Sequence, residues 1–86
     1  MSQCKPEQPK RLAEKLLLLR RKGEFTQDAM LEALIKKAPK GTILRRGYIS
    51  RYESGTRIPS LFVLLAYSRL GKTSIDMLVD DDVDIL

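Results

Sequence analysis

The stretch "YISRYESGTRIPSLFVLLAYSRLG", residues 48–71, decides how this chain folds. Tyr48, Ile49 and Tyr52 stand at i, i+1 and i+4, an apolar face of helical period, and Ser54-Gly55 ends it. The spacing predicts a helix over about Arg45 to Glu53. "TRIP" is then a connection, Ser60 caps a further helix over Leu61 to Leu70, and Gly71 closes it. No alternating run bounded by hairpin turns appears anywhere, so strands are not expected.

Working back toward the N-terminus, Ala38-Pro39-Lys40-Gly41 reads as a loop. Before it, "TQDAMLEAL" has Thr26 as N-cap and Asp28 at the positive helix end, with Phe25 and Met30 placed for a hydrophobic staple. Earlier still, Leu12, Leu16 and Leu19 recur at i, i+4, i+7 between Pro9 and Gly23, where a C′ glycine belongs. Leu17 and Leu18 widen that stripe and imply packing on more than one neighbour. Forward of Gly71, Thr73 or Ser74 begins a short fifth helix, "IDMLV". The expected organisation is a loose arm over residues 1–9, an all-α five-helix domain over 10–79 and an acidic tail over 80–86.

Charge is segregated. The 16 Lys and Arg all precede residue 76, where they meet six acids, and the last eleven residues carry five Asp and no base. A small body with a net charge of +10 matches a polyanion, nucleic acid first. Only one cysteine, Cys4, is present, so a reducing, cytoplasmic setting is expected, with Cys4 an exposed thiol. No apolar run reaches the ~18 residues of a membrane span, and the N-terminus lacks a signal-peptide core. No membrane partner is expected.

Several chemistries are excluded. There is no His, which removes the commonest general base and zinc ligand. Asp80-Asp81-Asp82 lacks the alternating ligands, central Gly and terminal Glu of a calcium loop. "APKGTILRR" lacks the second Gly and the Lys-Ser/Thr pair of a phosphate loop. Neither an enzyme, a metal nor a cofactor is expected.

The run Ile-Ser-Arg-Tyr-Glu-Ser-Gly at 49–55, then Arg57 and Pro59-Ser60, with Thr26-Gln27 opening the second helix, resembles the phage-repressor and Cro type of helix-turn-helix domain. The resemblance covers about residues 11–79. "IDMLVDDDVDIL" further resembles a bacterial subgroup ending in a Leu-x-Asp-Asp segment. The resemblance implies a five-helix bundle of the lambda-repressor type and a bacterial or phage transcription regulator, a repressor of the XRE kind, bound to double-stranded DNA.

It also implies roles. Thr26 would cap the second helix and Gln27 would bond a DNA phosphate. The third helix would lie in the major groove, with Arg45, Arg46, Gly47, Tyr48 and Arg51 toward bases or phosphates and Ile49 in the core. Ser50 would reach a phosphate or face solvent, and Arg57 would touch backbone phosphate. Arg20 and Glu53 would form a structural ion pair. The sequence departs from the family in a longer connection between the second and third helices, which includes Lys36, Lys37, Pro39, Lys40 and Gly41. Lys37 and Lys40 are expected on phosphates. Arg45 also stands where a Ser or Thr cap is common, and Thr42 is an alternative cap if the helix begins at Ile43.

A single small domain offers limited contact area, so a homodimer is expected on a two-fold site with half-sites about 34–36 Å apart. Its expected surface is the fifth helix with Val83, Ile85 and Leu86. Two other readings stay open: an antitoxin-like or adaptor module whose acidic tail meets a protein partner of unknown identity, and non-specific nucleic-acid binding.

Overall fold

The computed structural model describes residues 9–85, which excludes Cys4, most of the expected arm and Leu86. Five helices follow in order: α1 (Leu12–Lys22), α2 (Gln27–Lys37), α3 (Tyr48–Ser54), α4 (Leu61–Gly71) and α5 (Ile75–Val79). No strand occurs among the described residues. The core joins Leu12, Leu16 and Leu19 of α1, Met30 and Leu34 of α2, Ile49 and Tyr52 of α3, Val63, Leu64, Ala66 and Tyr67 of α4, and Leu78 of α5. These are the periodic positions, so the apolar stripes converge on one interior.

Helix α2 begins as its sequence dictates. Thr26 Oγ1 accepts the Ala29 N–H at 3.1 Å, and Phe25 and Met30 both pack into the core cluster. Ser60 and Ser74 cap α4 and α5 in the same way, through the amides of Val63 and Met77.

The closing turns of α1 and α4 differ from expectation by one residue. Gly23 keeps a right-handed φ of −83°, and Glu24 takes the left-handed conformation at φ 59°. The Phe25 N–H then bonds the Arg20 carbonyl at 3.1 Å and the Glu24 N–H bonds that of Arg21 at 3.0 Å, a Schellman closure with Glu24 at C′. Gly71 likewise stays in α4, and Lys72 turns left-handed at φ 53°. Gly23 is glycine for closeness, because a Cβ there would lie 2.7 Å from the Phe25 ring.

Helix α1 starts at Leu12, not near Pro9, and its first turn is closed from the far end of the chain. Asp81 accepts the backbone N–H groups of Lys10 and Arg11 at 3.0 and 2.9 Å. Arg11 reaches back to the Asp81 carbonyl at 3.1 Å and to the Asp84 carboxylate. Lys15, fully buried, donates to the carbonyls of Met77 and Asp80 at 2.7 and 2.6 Å, where α5 ends. A cation at a helix C-terminus satisfies carbonyls left without intrahelical partners. The acidic segment is thereby fastened onto α1, and Ile85 packs against the domain's own core. Ile85 is therefore not the leftover apolar residue on which the expected dimer surface rested. Val83 is half-buried.

Candidate nucleic-acid interface

The connection from α2 to α3 consists of two turns joined by a strap that is neither helix nor strand. Pro39 opens the first: its carbonyl accepts the Thr42 N–H at 3.1 Å and the Thr42 hydroxyl at 2.6 Å, with Gly41 at φ 91°. In the second, the Tyr48 N–H bonds the Arg45 carbonyl at 3.1 Å and Gly47 takes φ 93°. Positive φ at the third position is what such a turn requires and glycine supplies. Leu44, packed against the core, pins the strap between them. The end of α2 is held by Arg69 Nη1, which donates to the Lys37 carbonyl at 2.9 Å.

The expected start of α3 is thus corrected. Arg45 and Arg46 lie in the turn ahead of the helix, and Gly47 is the residue before Tyr48. Thr42 caps no helix, since its hydroxyl is committed to Pro39. Helical periodicity alone cannot locate this boundary, because Arg45 and Arg46 have ordinary helix propensity and only the backbone at Gly47 breaks the run.

Along α3 the faces separate cleanly. Ile49 and Tyr52 are buried, and Ser50 and Arg51 are exposed. Tyr48 is half-buried. Its ring meets Tyr52 edge-on at 6.2 Å, and Tyr52 meets Tyr67 at 6.4 Å, a pile of aromatic rings running into the core. Burial pushes the phenols of Tyr52 and Tyr67 up from their ordinary range. On the outer side, the Arg57 guanidinium stacks 3.8 Å from the Tyr48 ring centre. Tyr48 therefore orients a cation as well as covering the core.

Beside α3 stands Gln27. Arg20 grips Glu53 in a two-pronged pair, Nε to Oε2 at 2.6 Å and Nη2 to Oε1 at 3.0 Å, and its third nitrogen, Nη1, donates to the Phe25 carbonyl at 2.9 Å. The carboxylate of Glu53 also accepts from Gln27 Nε2 at 3.1 Å. An amide nitrogen carries two donors, so one N–H of Gln27 is held inward and the other stays available to a ligand. The bond to Glu53 raises the pKa of Arg20 above its ordinary value.

The remaining named cations are open to solvent. Lys37, Lys40, Arg45, Arg46, Arg51 and Arg57 are exposed. Arg46 approaches Asp28 at 3.6 Å, an exposed pair that is easily exchanged for another anion. Among the described residues, Arg45, Arg51 and Arg57 enter no ion pair. Between the strap and the α3–α4 loop runs a groove of about 450 Å³ that places exposed Ile43 and Phe62 beside Arg45 and Arg57. These apolar neighbours carry no signal in the sequence, because their exposure follows from the path of the strap and not from any period.

Among the described residues, no cluster of His, Cys, Asp or Glu is suited to a metal and no helix is long and apolar enough to cross a membrane. A helix-turn-helix family model matches residues 16–78, from α1 into α5. No curated protein and no solved structure gives a significant match. The chain belongs to the phage-repressor type of the helix-turn-helix family, a domain that points to a DNA-binding transcription regulator.

Proposed function

From that family membership, we propose that this protein regulates transcription by binding double-stranded DNA at specific sequences, with α3 in the major groove. The observation that carries the reading is the division of α3. Ile49 and Tyr52 fix it to the core, while Ser50, Arg51 and the preceding Arg46 are exposed on the outside. In this reading Arg51 and Arg46 meet base edges, where the planar guanidinium fork matches guanine O6 and N7. The second N–H of Gln27, the stacked Arg57 and the cations Lys37, Lys40 and Arg45 meet phosphates and set the register. Gly47 lets the backbone come close to the duplex, and Thr26 holds the start of α2 beside it.

A homodimer on a two-fold site completes the proposal. The alternative in which the acidic tail is the working surface draws less support. Asp81 and Asp84 are engaged at the start of α1 and do not reach across α3.

Selection of bound sites from a random duplex library tests the function. An enriched two-fold sequence is expected, with log affinity falling linearly with log salt through the phosphate contacts. A steep salt dependence with no enriched sequence would sink sequence-specific reading in favour of non-specific binding. No duplex affinity at low salt would remove DNA altogether.

A further inference from the structure

A second concave site lies where the closing turns of α1 and α4 meet the start of α2. Its volume is about 380 Å³, within the range of about 300–1,000 Å³ typical of small-molecule pockets. Leu19, Phe25, Met30 and Leu70 form an apolar lining, and Lys22 and Lys72 are the only charged residues in it. Both lysines are exposed, and neither enters an ion pair among the described residues. The walls include two glycines, Gly23 and Gly71. A Cβ on Gly71 would lie 2.9 Å from the Leu19 side chain, as one on Gly23 would from Phe25 at 2.7 Å.

The two glycines also fix where the closing turns bend. Among the described residues only Glu24 and Lys72 are non-glycine residues with positive φ, and each follows one of these two glycines. In both turns the glycine is held one place earlier by close packing, on Phe25 and on Leu19.

We infer that this groove binds a small amphipathic carboxylate, an aromatic or short aliphatic acid. The apolar body would cover Leu19, Phe25 and Leu70, and the carboxylate would lie between the ammonium groups of Lys22 and Lys72. A neutral molecule of the same shape leaves both lysines without a partner, and a cation is repelled. The lining shares no residue with α3 or the strap, so the site stands whether or not the DNA reading does. It does adjoin that machinery: Phe25 precedes Thr26 and Gln27, and its carbonyl holds Arg20, which in turn holds Glu53.

Titration of the isotope-labelled free protein with 2-naphthoate, followed by two-dimensional NMR, tests the site. The uncharged isostere 2-naphthamide serves as control. Saturation at one naphthoate per chain is expected, with the largest shifts at Phe25, Leu70 and Gly71. Naphthamide should bind on the order of fivefold more weakly, the loss of two exposed ion pairs. The double variant Lys22→Gln/Lys72→Gln should bring naphthoate down to the naphthamide level, and Lys22→Arg/Lys72→Arg should restore it. Shifts scattered over the basic surface without saturation would overturn the assignment. So would equal binding of acid and amide, or a glutamine variant that keeps the affinity for naphthoate.

Discussion

Arg51 and Arg57 are both exposed arginines, yet their surroundings separate them. Arg51 projects freely from α3, whereas Arg57 is stacked on Tyr48 in the following loop. Substituting Arg51 by Ala should cost ~1–3 kcal/mol at one base position and relax preference there, whereas Arg57→Ala should weaken all duplexes alike and flatten the salt slope. Binding to a panel of single-base variants at several salt concentrations distinguishes the two. A uniform loss for Arg51→Ala would remove its base-reading role. At this scale the types and places of the candidate cations were legible in the sequence, because charge and helical spacing are local properties. Partnership was not. That Gln27 shares Glu53 with Arg20, and that Arg57 leans on Tyr48, depends on side chains brought together from separate elements.

Helices α2 and α4 were legible from start to near their ends, since Thr26 and Ser60 cap amides only three residues away. The start of α3 and the end of α1 were not. At α3, Arg45 and Arg46 continue a helical pattern that the backbone abandons. At α1, the glycine that announces a C′ position is one residue early, because close packing with Phe25 requires it at 23 and leaves Glu24 to make the left-handed turn. Glu24→Gly should therefore stabilise the domain by about 1 kcal/mol, the usual cost of a side chain in left-handed backbone. Urea unfolding measures this directly. An unchanged or lower midpoint would show that the Glu24 side chain offsets its own strain.

For the whole molecule, the segregation of charge acquires a structural meaning. The tail does not trail from a basic body but closes the start of α1, with Asp81 on two amides and Asp84 on Arg11. This contact between chain ends has no local signature, so the sequence shows the acids without showing their destination. Backbone hydrogen bonds from Lys10 and Arg11 lower the pKa of Asp81, and the side-chain bond from Arg11 lowers that of Asp84, both from an ordinary value of 3.8. Carboxylates depressed on folding stabilise the native state above their unfolded pKa and lose that effect as pH falls through the folded one. Comparing wild type with Asp81→Ala/Asp84→Ala should show a gap in Tm at neutral pH that closes below about pH 4. A gap that persists in acid would mean the contribution is not electrostatic.

Oligomerisation belongs to the same scale. Leu61 is 67% exposed and Phe62 48%, more open apolar surface than the half-buried Val83 or Ile85 provides. Sedimentation on a selected two-fold duplex should find two copies. Leu61→Glu should reduce this to one copy at the same protein concentration while Val83→Glu does not, and the reverse result would return the contact to α5 and the tail.

The ammonium of Lys15 is enclosed by the carbonyls that end α5, and among the described lysines it alone is buried. An amine must be exposed to attack an acylating ester, so Lys15 can be labelled only while α5 and the tail stand away from α1. Its acylation should be the slowest of the described lysines, and its rate relative to theirs measures how often the clasp opens without the rest of the domain unfolding. Peptide mapping after timed exposure to such an ester would read that frequency. A Lys15 that reacts as fast as Lys36 would mean the ends of the domain are open most of the time.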